Sequence, residues 1–328
     1  MILAIIENAF LSLIGSAIPA SAVVMLAATG AMLGERVGVL NLGQEGLIGI
    51  GAVYSVIAVL SWGVESPWLA MLIGMMAAAV AGLIFAVCVV AFRASQVLVG
   101  LALALGGIGL SNQLGVNRNG TPIQTLFREV NPGGVLDNND ALSAFFFHDP
   151  VVYIAYVGLP VVLYFVLFRT RHGMNMKAVG ENPAAADAVG VSVTGWRIFY
   201  SVLGAALTGA GGAYMVLSFT PTWSPDIARG RGWVALAVVI FAGWRPGWAV
   251  AGALLYGSMI SLDTTAQARG WGLPFMGASD LSFFLSMLPY VVTLVAILIP
   301  AGAVKLGRRV RSTAAPAALA IPYSREER

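Results

Sequence analysis

Residues Ser66–Phe92 read SPWLAMLIGMMAAAVAGLIFAVCVVAF, 27 consecutive positions without a charge. That exceeds the ~20 residues a helix needs to cross the hydrocarbon core of a bilayer. Lipid offers the backbone no water to bond, so a crossing segment satisfies its own N–H and C=O groups as a helix. Comparable charge-free runs recur along the chain at Asn8–Gly34, Gly46–Val64, Ala94–Asn117, Pro150–Phe168, Ile198–Pro225, Pro246–Leu262 and Leu281–Val304. A further run, Gly232–Trp244, has only 13 residues.

Composition points the same way. Of 328 residues, 59% are hydrophobic and 10% charged, with a mean hydropathy of +0.86. An average soluble domain carries about 25% charged residues. The 18 basic and 15 acidic side chains are too few to coat a soluble protein of 34.1 kDa. A soluble enzyme, a nucleic-acid-binding domain and a disordered chain are all excluded, and lipid becomes the expected surrounding. The single cysteine, Cys88, excludes a disulfide framework and a Cys-based cluster. No metal site is expected. The fold expected is therefore an all-α polytopic membrane protein.

Charge placement sets the number of crossings. The first run has no Lys or Arg before Arg36 and leads into further apolar segments, so it reads as a membrane helix rather than a cleaved signal. Cytoplasmic loops are enriched in Lys and Arg. Residues 169–198 carry Arg169, Arg171, Lys177 and Arg197, and the tail carries Lys305, Arg308, Arg309, Arg311, Arg325 and Arg328. Nine crossings, within a range of eight to ten, put both segments inside, with the N-terminus outside and the C-terminus cytoplasmic. The transmembrane domain then covers 1–310, with a cytoplasmic loop 169–198 and a long, turn-rich outer loop 118–149. Residues 311–328, rich in Ala and Pro, read as a disordered tail. The short run Gly232–Trp244 reads as a broken or re-entrant helix, and Ala141–His148 as a possible second one.

Four glycines, Gly34, Gly38, Gly43 and Gly46, interrupt the helix between the first two runs. Each costs about 1 kcal/mol relative to Ala in a helix interior, so the backbone there must bend or approach closely. Asn41, Gln44 and Glu45 stand at this break. Ionisable residues at membrane depth mark functional sites, which makes these three candidates for a translocation path. The plainer alternative is a polar loop at headgroup level, with Glu35 and Arg36 paired there. Asn112 and Gln113, ending the fourth run, and Asp263, following the eighth, either line an access path or mark helix ends. Gly204, Thr208 and Gly212 recur four apart, as close helix packing requires. Trp223, Trp233, Trp244, Trp248 and Trp271 sit near run ends, as in an interfacial belt.

The stretch Gly180-Glu181-Asn182-Pro183-Ala184-Ala185-Ala186-Asp187-Ala188-Val189-Gly190 lies in the cytoplasmic loop. Asn182 suits an N-cap, Pro183 the first helical position and Gly190 the position past the end. The helix between them is roughly 10 Å long. Too short to bury a core, it needs a partner surface, and its small side chains permit close docking. An ordinary connecting helix is the alternative.

Three patches together resemble the permease subunits of ATP-binding-cassette importers, in the branched-chain amino acid, ribose and simple-sugar superfamily, nearest its nucleoside-importer branch. They are Glu35–Gly46, Gly180–Gly190, and Gly230–Trp244 followed by Met287-Leu288-Pro289-Tyr290. The resemblance implies two permease subunits, as a homo- or heterodimer, in the inner membrane. It also implies an extracytoplasmic solute-binding protein and two ATPase subunits that bind the ATP, so the chain needs no cofactor of its own. Gly180, Glu181, Asn182, Pro183, Ala185, Ala186 and Gly190 then match the coupling helix that the ATPases grip, and Asn41, Gln44 and Glu45 lie beside the path. The cargo implied is a small polar solute, a nucleoside first and a simple sugar next.

The only lysines, Lys177 and Lys305, lack the glycines of a phosphate-binding loop. A transport subunit without its own ATPase is expected, not an enzyme. The rival reading is a stand-alone secondary transporter or channel. It needs buried titratable groups for ion coupling, and only Glu45 and Asp263 approach that role.

Overall fold

The computed structural model describes residues 2–130, 148–270, 278–305 and 315–324, and among them the regular structure is helical, with no strand. The elements are α1 (Ile2–Arg36), α2 (Gln44–Leu60), α3 (Pro67–Ala91), α4 (Gln96–Arg118), α5 (Pro150–Arg169), α6 (Arg171–Glu181), α7 (Pro183–Ala188), α8 (Val193–Phe219), α9 (Arg231–Ala242), α10 (Pro246–Ala268) and α11 (Ala278–Lys305). The α3, α4 and α8 helices start at serine caps: Ser66, Ser95 and Ser192 each accept a backbone N–H from three residues on. Such caps satisfy donors that the first helical turn leaves orphaned.

Among the described residues, five segments are long and apolar enough to cross a membrane: Gly15–Arg36, Pro67–Ala91, Gln96–Arg118, Pro150–Arg169 and Val193–Phe219. The α2 and α9 helices and Leu281–Val295 are shorter apolar helices. The 12 residues of α9 cover about 18 Å at 1.5 Å per residue, against a hydrocarbon core of ~30 Å. The run Gly232–Trp244 thus holds a helix shorter than the hydrocarbon core.

Burial separates inner from outer helices. The spanning windows of α1 and α8 are 89% and 72% buried, those of α3, α4 and α5 only 33%, 22% and 33%. The α8 helix packs on α1, α2 and α3, and α1 packs also on α9 and α10. The outward faces of α3 and α4 carry exposed Leu72, Met76, Val80, Ile84, Leu98 and Leu105. An apolar face of that extent suits lipid. The small residues of α8 work as their spacing predicts. A Cβ on Gly30 would stand 2.2 Å from the Gly204 carbonyl oxygen, and one on Gly204 would stand 2.4 Å from that of Gly30. The α1 and α8 backbones touch there, which only glycine allows.

Two expectations need correction. Trp223 and Trp244 are 1% and 6% exposed, so they belong to the interior rather than an interfacial belt. Trp223 packs on Gly115, where a Cβ would clash with its ring. Trp233 and Trp248 are exposed, and Trp271 lies outside the described residues. Residues 315–324, read as part of a disordered tail, pack on α6, α7 and the turn after α1. Ala318 donates its N–H to the Gly180 carbonyl at 2.9 Å and Ala320 to the Gly38 carbonyl at 3.2 Å. Small side chains let this segment lie close, and backbone carbonyls at turns give its N–H groups acceptors. Residues 131–147 of the outer loop, with most of Ala141–His148, lie outside the described residues, as do 311–314 and 325–328.

Candidate functional site

The break between α1 and α2 is a hydrogen-bonded turn. The Gly34 carbonyl accepts from Val37 and Val39, and Gly38 takes φ +84°. Asn41 Oδ1 accepts the Gly43 N–H at 2.8 Å, and the Asn41 carbonyl accepts from Gln44 Nε2 at 3.2 Å. Gln44 Oε1 in turn accepts from the Thr208 hydroxyl at 2.6 Å, fastening α2 to α8. Asn41 and Gln44 are buried and shape this joint.

Glu45, 5% exposed, reaches across to the start of α9. Its Oε1 accepts the Gly230 N–H at 2.6 Å and its Oε2 the Gly232 N–H at 2.7 Å. A carboxylate that receives backbone N–H groups at a helix start is favoured by the bonds and by the helix dipole. A Cβ on Gly232 would stand 2.3 Å from the Glu45 nitrogen, so glycine alone lets the two helix starts meet. The far end of α9 is held as well. Trp244 Nε1 donates to Glu35 Oε2 at 2.6 Å, and Arg36 Nε donates to the Trp244 carbonyl at 3.1 Å. Glu35 and Arg36 thus share Trp244 as a partner. The short helix α9 is clamped at both ends by residues flanking one turn.

The loop ahead of α9 is unusual. Asp226, Arg229 and Gly230 have φ of +53°, +46° and +83°. Left-handed backbone at the two non-glycine positions costs of order 1–2 kcal/mol each, and persists where surroundings enforce it. Besides Glu45, Asn112 enforces it: its Nδ2 donates to Asp226 Oδ1 at 2.8 Å, and its Oδ1 accepts the Asp226 N–H at 2.9 Å.

Two cavities are lined by residues of this loop. One of about 200 Å³ is lined by Glu45, Ser111, Asp226 and Arg229. The other, about 220 Å³, is lined by Arg229, Arg231, Asp263, Gln267, Ser286 and Tyr290. Arg229 lines both. Arg231 Nε is buried without a hydrogen-bond partner among the described residues, while Asp263 Oδ1 accepts from Gln267 Nε2 at 3.1 Å and from the Ser282 hydroxyl at 2.8 Å. Guanidinium donors and a carboxylate lining one half-apolar hollow suit a small polar solute.

Of the path candidates, Glu45 lines one of these cavities and Asp263 the other, and Asn112 holds the loop. Asn41 and Gln44 build the neighbouring turn, and Gln113 is exposed and joins none of these bonds. Sequence reasoning passed over Asp226, Arg229 and Arg231 as site residues. Their signal was three charges in six positions, just ahead of the one run too short to cross.

The second candidate surface is α7. Asn182 Oδ1 accepts the Ala185 N–H at 3.0 Å, Pro183 opens the helix, and Gly190 follows it at φ +86°. Ala186 and Asp187 face inward, whereas Ala184, Ala185, Ala188 and Val189 are exposed, Val189 by 79%. A Cβ on Gly180 would stand 2.2 Å from the Arg36 carbonyl oxygen, so the end of α6 lies directly against the end of α1. On α6, partial burial, then the nearby Arg36 charge, push the Lys177 ammonium below its ordinary value.

Lipid-facing outer helices, cavities with charged groups in their lining beside a latched loop and a short exposed helix beyond the spans define a multi-pass membrane transport protein. The chain belongs to the family described as branched-chain amino acid transport system / permease component, whose model matches residues 13–301. Its relatives include a putative glucose ABC transporter permease protein of Haloferax volcanii, 32% identical over 96% of this chain and 98% of its own. A guanosine ABC transporter permease protein of Bacillus subtilis is 32% identical over 84% of this chain and 88% of its own. A nucleoside ABC transporter permease protein of Lactococcus lactis is 32% identical over 82% and 85%. The protein is a permease subunit of an ATP-binding-cassette transporter in the inner (plasma) membrane, a transport component rather than an enzyme. Such permeases work with ATPase subunits and solute-binding proteins.

Proposed function

We propose that this chain is one of two permease subunits, identical or homologous, of an importer whose cargo is a nucleoside. It has nine crossings, an outer N-terminus and a cytoplasmic C-terminus. A binding protein outside hands over the solute, and ATPase subunits inside seize Gly180–Gly190. The observation that carries the reading is the Glu45 latch on Gly230 and Gly232, with two cavities lined in part by the latched loop. Closure of the ATPase pair moves α7, packed spans shift as rigid bodies, and the loop swings so that solute passes from one cavity to the other. Asn41, Gln44, Glu45, Asn112, Gln113 and Asp263 lie along or beside that path.

A nucleoside fits the cavity chemistry. Arg229 and Arg231 offer donors to base carbonyl groups, and Asp263 offers an acceptor to ribose hydroxyls. Two relatives carry nucleoside names. A simple sugar is the second reading, supported by the glucose-named relative that covers 96% of this chain. Uptake of labelled guanosine and labelled glucose by proteoliposomes holding permease, ATPase and binding protein tests it. Guanosine uptake that excess glucose leaves untouched supports the nucleoside reading, and the reverse pattern replaces it.

A further inference from the structure

Residues 315–324 cross the face where α6, α7 and the turn after α1 meet, and they bond to all three. Ala318 and Ala317 donate their N–H groups to the Gly180 carbonyl at 2.9 Å and to Glu181 Oε2 at 3.2 Å. The Tyr323 hydroxyl donates to Asp187 Oδ2, on the inward side of α7, at 3.0 Å. On the other side Ala320 donates to the Gly38 carbonyl at 3.2 Å. Arg197, 3% exposed, links the two. Its Nε donates to the Val37 carbonyl at 3.2 Å and its Nη1 to the Ile321 carbonyl at 3.0 Å. The approach at Gly38 is close: a Cβ there would stand 2.9 Å from both the Ala318 carbonyl oxygen and Arg197 Nη2.

We infer that segment 315–324 is a strap that carries displacement of α7 to the turn between α1 and α2. Six hydrogen bonds join the two ends through one piece of backbone. From the turn the connection continues through Asn41 and Gln44 to Glu45, and from Glu45 to the Gly230 and Gly232 N–H groups. A push on α7 thus has a bonded route to the latched loop through Tyr323 and Ala320, braced by α6 at Gly180 and by α8 at Arg197. The strap positions the latch and touches no solute. Tight mechanical coupling needs such a bonded element, since loosely packed segments absorb displacement instead of passing it on. This inference rests on the reading of α7 as the surface seized by the ATPase.

The test compares ATP hydrolysis and solute uptake in the complete transporter carrying full-length permease, permease ending at Ala314, Tyr323→Phe, or Ala185→Asp. The strap predicts that truncation keeps ATP hydrolysis near normal while solute moved per ATP falls about fivefold, equal to ~1 kcal/mol of coupling free energy. Tyr323→Phe removes one hydroxyl and leaves the fold intact; its ratio falls by a smaller factor. An unchanged ratio in both variants overturns the strap. So does a parallel loss of hydrolysis and uptake in Tyr323→Phe, which reports weaker docking instead of looser coupling. Should truncated permease fail to accumulate, Tyr323→Phe decides alone. If Ala185→Asp also leaves hydrolysis and uptake untouched, the α7 reading itself has failed; if it acts while the strap variants do not, only the strap is lost.

Discussion

Glu45 Oε1 accepts the Gly230 N–H at 2.6 Å across 185 positions of sequence. With the Gly232 bond, it ties the start of α2 to that of α9 and pairs donors that the start of α9 leaves without helical partners. The path reading follows from this joint: the loop it holds is left-handed at two non-glycine residues and helps to line two cavities.

Glu45→Gln removes one acceptor oxygen and turns an amide N–H₂ toward a backbone donor. Leaving a buried N–H unpaired costs about 1–3 kcal/mol. The variant should melt several degrees lower in detergent and lose most uptake. Normal uptake at unchanged melting temperature contradicts the latch.

Gly232→Ala places a methyl 2.3 Å from the Glu45 nitrogen, whereas Gly247→Ala meets nothing within 4 Å. The first should destabilise by about 1–3 kcal/mol through overpacking and abolish transport. The second should leave both melting temperature and uptake close to wild type, as surface changes usually do.

Arg229 lines both cavities, so Arg229→Ala should weaken solute handling without harming assembly. Loss of one charge-assisted bond of ~1.5 kcal/mol raises half-saturation about tenfold. Uptake measured against solute concentration checks this. Gly247→Ala, where the added methyl meets nothing within 4 Å, is the control and should leave the curve in place.

Ala185→Asp puts a charge on the exposed small face of α7. It should uncouple ATP hydrolysis from uptake while the permease still inserts. Asn182→Ala removes the cap on the Ala185 N–H, worth about 1 kcal/mol, and should lower coupling in the same direction by less. Unchanged uptake in the Asp variant removes α7 as the coupling surface.

The helices were legible because lipid demands one pattern, and charge-free runs such as Ser66–Phe92 state it directly. The cap, opening proline and closing glycine of α7 were legible too, since each has a local rule. Glu45 was singled out by its place in a glycine-broken segment. Its partners were not, because backbone N–H groups have no sequence signature. Trp244 looked interfacial by position, yet its indole and carbonyl are taken by Glu35 and Arg36. The strap was read as disorder because Ala and Pro offer no periodicity. Its order comes from backbone bonds to Gly38 and Gly180, which composition cannot reveal.

The most direct measurement is uptake by the purified permease in sealed vesicles, alone and with its ATPase and binding protein. The account predicts no accumulation against a gradient by the lone chain, with or without an imposed ion gradient, and ATP-dependent accumulation by the complete assembly. Concentrative uptake by the permease alone, driven by an ion gradient, would contradict it.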